Sequence, residues 1–207
     1  MKKSRKKIIA ILAFLIVAFN TISAISVTGR VISAGKGLSG VVVTDGYNFA
    51  LTDKKGEYRL ETDKSAKYVY LSVPSGYNSK FDGGTVKFYE KLTAGRIRYD
   101  FNLIKKSSQD TDHSFIVFAD PQIWAGKEFK LLSKAVEDIN ETIKSFGPGR
   151  SVHAICSGDI VSNDHSYYGE YNRVMSRLNI PVYNAMGNHD MTLYGRAMEG
   201  SEAKYNE

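Results

Sequence analysis

The sequence predicts an α+β protein, in which an N-terminal all-β sandwich precedes an α/β unit with parallel strands. Short apolar strands separated by turn residues occupy residues 25–104, which is the pattern of a small sandwich. Residues 113–207 instead alternate apolar runs with amphipathic segments, the pattern of strand–helix–strand units. Residues 105–112 are polar and lack periodicity, so we expect a linker there.

Residues 1–24 have the composition of a secretion signal. Basic residues precede an unbroken apolar run, Ile8–Phe19, and small and polar residues follow as far as Ala24. The run is shorter than the roughly 20 apolar residues that cross a bilayer. We therefore predict an exported protein, periplasmic or extracellular, that meets the membrane only through this segment. An uncleaved amino-terminal anchor is the alternative.

The net charge and the cysteine count limit the function classes. Of the formal net charge of +6, the signal contributes most through five basic residues, Lys2, Lys3, Arg5, Lys6 and Lys7. The remaining +1 gives no reason to expect a nucleic-acid partner. Cys156 is the only cysteine, so no internal disulfide can form and core packing must hold the fold. We interpret Cys156 as a buried strand residue, with a thiolate metal ligand as the alternative.

Alternating apolar residues and turn signals define the strands of the sandwich. Val27–Val31 opens the β-rich region, and Tyr68–Val73 has the alternation of a half-buried strand. We interpret Asp45, Asp53 and Asp63 as turn residues rather than calcium ligands, because they stand in turn-forming sequences between the strands. Nothing in this region has the pattern of a catalytic site, so we regard it as a packing or recognition module.

Two amphipathic helices are predicted in the α/β unit. The apolar face of the first, at steps of three and four, consists of Phe129, Leu132, Val136, Ile139, Ile143 and Phe146. Gly147-Pro148-Gly149 ends this helix. The apolar face of the second consists of Tyr167, Tyr171, Val174 and Leu178, and Asn179-Ile180-Pro181 closes it.

Three apolar runs of the α/β unit each end in polar, oxygen-bearing side chains. The three polar segments are Asp120-Pro121-Gln122, Ser157-Gly158-Asp159 and Met186-Gly187-Asn188-His189-Asp190. Helices between the strands imply parallel strands, whose carboxyl ends share one edge of the sheet. Carboxylates that meet at such an edge repel one another unless a cation lies between them. The sequence therefore predicts a divalent metal site.

Asp120-Pro121-Gln122, Gly158-Asp159 and Gly187-Asn188-His189-Asp190, in this order, resemble the first three motifs of the calcineurin-like metallophosphoesterase superfamily. The resemblance implies an αββα sandwich of two sheets between helical layers, of which residues 113–207 would form the first half. The pattern from Gly40–Val43 to Gly56–Tyr58 resembles the transthyretin-like sandwiches found ahead of secreted bacterial metallophosphoesterases.

The resemblance also implies two divalent metal ions and a phosphate-ester substrate. Asp120 would bind the first metal, Asp159 would bridge both, and Asn188 would bind the second. His189 would protonate the leaving group or stabilise the phosphate while a metal-bound hydroxide attacks a phosphate mono- or diester. Gln122 stands where the family normally has histidine. Its carbonyl oxygen is a harder ligand than imidazole, so we expect manganese or magnesium, with zinc and iron as alternatives.

The four histidines differ in their distance from the predicted site. His113 and His153 precede the aspartates of their strands by seven and six residues, roughly 23 and 20 Å at the usual rise. Both belong at the far edge of the sheet, so we exclude them as ligands. His165 could approach the site, but we interpret it as an exposed residue at a helix start. Only His189 belongs to a motif.

The family's later histidines, including a Gly-His-x-His motif, have no counterpart before Glu207. We therefore expect a chain truncated after the third motif, with Tyr183–Asp190 exposed beside a missing strand. The alternative to an enzyme is a catalytically silent exported binding module with a vestigial phosphoesterase half. A Rossmann-like nucleotide-binding protein is a third interpretation, but no Gly-x-Gly-x-x-Gly loop follows the first strand of the unit.

Overall fold

The computed structural model describes residues 25–82, 85–107, 111–147 and 149–191. The predicted secretion signal and the segment after residue 191 lie outside the described residues. Among the helices of the described part, none is long and apolar enough to cross a membrane.

Strands and helices are numbered along the chain. The strands of the first half are β1 (Ile25–Ser33), β2 (Lys36–Gly37), β3 (Val42–Thr44), β4 (Phe49–Leu51), β5 (Glu57–Thr62), β6 (Tyr68–Ser72), β7 (Tyr77–Ser79), β8 (Phe81–Asp82), β9 (Thr85–Val86), β10 (Tyr89–Lys91) and β11 (Phe101–Lys105). The second half contains β12 (His113–Phe118), α1 (Glu128–Ser145), β13 (Ser151–Cys156), α2 (Tyr168–Met175) and β14 (Val182–Asn184). Two 3-10 helices, His165–Tyr167 and Asn188–Asp190, complete the set.

Two sheets pack face to face in the N-terminal half, as the sequence predicts. One has the strand order β2-β1-β11-β7, with β5 also paired to β1, and the other has the order β10-β6-β3-β4. Alternate residues of β1 point inward, and Val27 and Val31 are buried against Val43 and Leu71 of the other sheet. The apolar core between the sheets confirms the N-terminal β-sandwich and the α+β class.

Aspartates shape the turns of the sandwich. The Asp45 carboxylate accepts hydrogen bonds from the backbone N–H groups of Tyr47, Asn48 and Asp63 at 3.0, 2.7 and 2.6 Å. Asp53 accepts in the same way from Lys55 and Glu57, and Asp63 from Ser65, each at 2.8 Å. These bonds give all three aspartates the turn role that the sequence predicts.

The second half is built on three parallel strands with helices packed on one face. β12 pairs with β13, and β13 pairs with β14, all in parallel. Val136 of α1 and Tyr171 of α2 are buried in a core that also includes Ala154 and Cys156 of β13. α1 ends where the sequence predicts, because Gly147 takes a φ of 79°, a conformation that favours glycine after a helix.

α2 is shorter than its apolar pattern predicts. The α-helix ends at Met175, although Leu178 is also buried, with 1% of its surface exposed. The chain tightens beyond Met175 because the Arg177 and Leu178 N–H groups bond to carbonyls three residues earlier, at 3.2 and 3.0 Å. Leu178 therefore reaches the core from a turn rather than from the helix.

The β8–β9 hairpin belongs to the sheet of the second half, although it lies within the first half of the sequence. β9 pairs with β14 in parallel, with Thr85 opposite Val182, and β8 continues the sheet on the other side of β9. Tyr183–Asp190 is expected to lie exposed beside a missing strand, and the pairing at Val182 corrects this only for the start of β14, immediately before that segment. A hairpin from the sandwich occupies that edge and pairs with its backbone.

Candidate functional site

The three polar segments that follow the strands of the α/β unit lie together at one edge of the sheet. The Asp120 N–H donates to the Gly158 carbonyl at 3.2 Å, and the Gln122 N–H donates to the Asp159 carbonyl at 2.9 Å. The His189 N–H donates to Asp159 Oδ1 at 2.9 Å. The second segment therefore holds the first and the third on either side of it.

Two glycines permit this close approach. A Cβ at Gly187 would lie 2.2 Å from Asp159 Oδ1, and a Cβ at Gly158 would lie 2.6 Å from the Gly187 nitrogen. Gly158 also has a φ of 98°, which side-chain-bearing residues rarely adopt. Gly158 and Gly187 are thus required because the two segments lie too close together for a side chain at either position. This holds whatever the site binds.

The backbone at this edge is strained. Asp120, Gln122, Asp159 and Asn163 have φ values of 53°, 39°, 51° and 69°, in the left-handed region that few non-glycine residues occupy. Each such residue costs on the order of 1 kcal/mol, and the conformation persists only where the surrounding structure holds it in place. Strained residues cluster at functional sites, and among the non-glycine residues described only Ala34 shares this conformation elsewhere.

The predicted ligands supply oxygen atoms. Asp120, Gln122 and Asn188 are exposed, and Asp159 is half-buried. Two carboxylates and two amide carbonyls suit a hard cation such as magnesium or manganese. In the described part of the chain, no group of three or more His, Cys, Asp or Glu side chains is placed to hold a metal.

The His189 ring is held beside the same edge. It is half-buried, and its Nδ1 lies 3.3 Å from Asn163 Oδ1. A hydrogen bond from Nδ1–H to this carbonyl oxygen would fix the orientation of the ring. Asn163 belongs to no motif, so the sequence pattern gives no sign of this role.

Asp190 is the residue of the third segment whose role the sequence pattern predicts least well. It is fully buried. Its Oδ1 accepts from the Val161 N–H at 3.1 Å and from the Tyr168 hydroxyl at 2.9 Å, and its Oδ2 accepts from the Gly187 N–H at 2.9 Å. An acidic residue three positions after the N-cap residue, Gly187, is the signal that could have identified it.

His165 differs from its prediction in one respect. It begins a 3-10 helix as expected, but it is half-buried rather than exposed because its ring stacks on Tyr168, with the ring centroids 5.7 Å apart. Its Nε2 is buried without a hydrogen-bond partner among the described residues. His165 therefore packs behind the third segment through Tyr168, which bonds to Asp190.

The remaining histidines and the cysteine lie where the sequence places them. His113 begins β12 and pairs in register with Ser151, at the opposite edge of the sheet from the three polar segments, and His153 follows on β13. Cys156 is buried in the core of the α/β unit, and burial raises the pKa of its thiol. A thiol in this environment is a packing residue.

Comparison with known proteins gives a family match for the β-sandwich region of the chain. Residues 25–106 match the family described as the N terminal of calcineurin-like phosphoesterase. A search of curated proteins found no match. The matched region covers the β-sandwich, and it precedes the three polar segments that resemble the motifs of the same superfamily. The β-sandwich is therefore similar to the N-terminal region of calcineurin-like phosphoesterases.

Proposed function

We propose that the chain takes part in metal-dependent hydrolysis of a phosphate mono- or diester at the edge formed by Asp120, Asp159 and His189. The observation that supports this proposal is the direct bonding of the three strand ends, from Asp120 to Gly158 and from Asp159 to His189. These bonds keep four non-glycine residues in the unfavourable left-handed conformation. Loops that only connected a strand to a helix would not need such a conformation.

Asp120, Gln122, Asp159 and Asn188 would hold one or two divalent cations. A divalent cation there would lower the pKa of a bound water and offset the charge of the phosphate. The backbone bond from His189 to Asp159 Oδ1 orients that carboxylate. His189, held through Nδ1 by Asn163, would donate a proton from Nε2 to the departing oxygen.

The composition of residues 1–24 supports a site of action outside the cytoplasm. Under this proposal the substrate is a phosphate ester available in the periplasm or the extracellular medium. The sandwich would act as a packing or recognition module beside the hydrolytic edge.

The test compares Asp159→Asn with Asp138→Asn in hydrolysis of bis(4-nitrophenyl) phosphate at saturating manganese. Asp138 is an exposed acid on α1, so its variant makes the same change of charge away from the edge. We expect the Asp159 variant to lose activity by about 100-fold or more, because removing even a hydrogen-bond partner of a metal ligand costs about 10- to 100-fold. Equal rates in the two variants would refute the assignment.

A catalytically silent binding module is the second candidate. It is favoured by the exposure of Asp120, Gln122 and Asn188 and by the lack of a histidine or acidic cluster among the described residues. Calorimetric titration with manganese distinguishes the two candidates. Binding that Asp159→Asn abolishes supports the hydrolase, whereas a folded chain that takes up no manganese supports the silent module.

A further inference from the structure

Trp124, the only tryptophan of the chain, follows the first polar segment. Its neighbour Ile123 is fully buried and forms a parallel bridge with Val161, whereas 60% of the surface of Trp124 is exposed. Tryptophan is highly buried on average in folded proteins. Trp124 stands two residues after Gln122, so their Cα atoms lie within about 7 Å of each other. A large aromatic side chain is therefore kept in solvent at the rim of the edge proposed for phosphate esters.

Hydrogen bonds fix the backbone on both sides of Trp124. On one side the Ser162 N–H donates to the Ile123 carbonyl at 2.9 Å. On the other side the Ala125 N–H donates to Glu128 Oε2 at 3.2 Å. The indole thus extends into solvent from a fixed backbone, which is the kind of support that a binding residue needs.

The same contacts place Trp124 on the side of the edge that carries His189. Ser162, which bonds to the residue before Trp124, is followed by Asn163. The Asn163 N–H donates to the His189 carbonyl at 3.2 Å, and Asn163 Oδ1 lies 3.3 Å from His189 Nδ1. In the proposed reaction His189 protonates the departing oxygen, so the organic group of the ester leaves on this side. The exposed indole lies beside its path.

Lys127 adds a positive charge next to the indole. Its Nζ lies 4.8 Å from the centre of the Trp124 ring, within the roughly 6 Å of a cation–π contact. Lys127 is the N-cap residue of α1, where a positive charge opposes the helix dipole, so helix stability does not account for its position. An exposed aromatic ring beside a cation favours an anion that carries a planar group, because the group can stack on the ring while the cation attracts the charge.

We propose that Trp124 is a specificity-determining residue that selects phosphate esters whose organic group is a planar aromatic ring. The ring of the ester stacks on the indole, and the Lys127 ammonium adds attraction for the negative charge of the ester. This inference rests on the proposed function, which assigns the phosphate to the edge at Asp120 and Asp159, and it adds the chemical class of the organic group.

The test compares the binding of phenylphosphonate and methylphosphonate to the full chain at saturating manganese. Both compounds carry the same anionic group without an ester bond, but only phenylphosphonate has a ring. Calorimetry measures the affinities, and tryptophan fluorescence reports on Trp124 alone because the chain has no other tryptophan. We expect phenylphosphonate to bind about three- to tenfold more tightly, the usual effect of one aromatic contact, and to shift the emission to shorter wavelength by displacing water from the indole. Equal affinities, no binding of phenylphosphonate or an unchanged emission would each overturn the proposal.

Three substitutions separate stacking on Trp124 from a general effect of exposed aromatic side chains. Trp124→Leu removes the ring, and Trp124→Tyr keeps one. Phe49→Leu alters an aromatic residue of β4 in the sandwich that is 72% exposed. We expect the preference for phenylphosphonate to disappear in Trp124→Leu and to persist in the other two variants. A preference that survives in Trp124→Leu would show that the phenyl ring binds elsewhere and would refute the assignment.

Hydrolysis of bis(4-nitrophenyl) phosphate is scored separately from stacking. If Asp159→Asn and Asp138→Asn hydrolyse it at equal rates but the preference for phenylphosphonate depends on Trp124, the hydrolase assignment fails and the aromatic-anion site stands. If hydrolysis depends on Asp159 and no preference for phenylphosphonate is found, the hydrolase assignment stands and the role of Trp124 is refuted.

Discussion

At the scale of single residues, Asp190 holds the turn that carries Asn188 and His189. Its buried carboxylate accepts three hydrogen bonds, two of them from backbone N–H groups. In Asp190→Asn the amide can replace only one acceptor oxygen and presents N–H groups to a buried donor. We expect a loss of about 1–3 kcal/mol in the free energy of unfolding, measured by urea denaturation.

Two further substitutions calibrate this prediction. Tyr168→Phe removes one of the three bonds and should cost about 1 kcal/mol. Asp138→Asn, on the exposed face of α1, should change stability by less than about 0.5 kcal/mol. If Asp190→Asn behaves like Asp138→Asn, the turn does not depend on this carboxylate.

Asp45 gives the sandwich a stability that depends on pH. Burial by itself would raise the pKa of Asp45, but backbone hydrogen bonds from Asn48, Asp63 and Tyr47 outweigh it and lower the pKa below its ordinary value of 3.8. The stabilisation is therefore complete above about pH 4 and is lost as the pH falls through the lowered pKa. The difference in unfolding free energy between the parent chain and Asp45→Asn should follow this course.

Urea denaturation of both proteins between neutral pH and pH 3 measures that difference. We expect about 1–3 kcal/mol near neutral pH, since the amide replaces one acceptor oxygen of the carboxylate by a donor. The difference should shrink below pH 4. A difference that does not change with pH would contradict a role for the ionised carboxylate.

At the scale of the element, the contact between the second and third polar segments depends on Gly158. A Cβ there would meet the Gly187 nitrogen at 2.6 Å, and the φ of 98° is unfavourable for alanine. Gly158→Ala should lower the free energy of unfolding by about 3 kcal/mol, because both the strain and the collision oppose the native backbone. Thermal or urea denaturation measures the loss.

Gly169→Ala is the control for this prediction. Gly169 lies in α2, where an added methyl group would have no other atom within 4 Å, and alanine is the better helix former. We expect this variant to be more stable by about 0.5–1 kcal/mol. A mild effect of Gly158→Ala, similar in size to that of Gly169→Ala, would mean that the two segments separate at little cost.

The helices show how far local patterns predict an element. α1 agrees closely with its prediction, because its apolar repeat and the glycine after it both act over a few residues. α2 agrees only in part. Leu178 continues the apolar repeat, but the chain changes to three-residue hydrogen bonding after Met175 and still buries Leu178. A periodic pattern of apolar residues indicates which residues are buried, but more than one backbone geometry can bury the same residues.

At the scale of the whole molecule, Phe88 links the two halves. Its ring lies 6.0 Å from that of Tyr183 on β14 and 5.3 Å from that of Tyr89 on β10. Phe88→Ala should therefore weaken the sheet of the second half although the substitution lies in the sandwich. We expect amide hydrogen exchange at Ala154 and Ala185 to become about fivefold faster, which corresponds to the loss of one aromatic contact.

Phe49→Ala is the matched comparison for Phe88→Ala. Phe49 lies on β4 of the same sandwich, but 72% of its surface is exposed. Its removal should leave exchange at Ala154 and Ala185 unchanged. Equal exchange rates in the two variants would show that the sandwich and the α/β sheet are energetically independent.

The sequence by itself determined the features that depend on neighbouring residues. Alternation identified the sandwich strands, the three- and four-residue repeats identified the helices, and aspartates next to strand ends identified the turns. The meeting of the three polar segments after β12, β13 and β14 also followed from local signals, because parallel strands place their carboxyl ends at one edge.

Only the tertiary structure decided the features that join distant parts of the chain. The pairing of β9 with β14, the burial of Asp190 and the support of His189 by Asn163 each connect segments that no local pattern relates. The hydrogen bond from Lys106 to Ser151 arises in the same way. The physical reason is that hydrophobic burial is non-directional, so it sets only which faces of the strands and helices turn inward. Which strand pairs with a given strand edge, and which group bonds to a given buried polar atom, is set by the final packing.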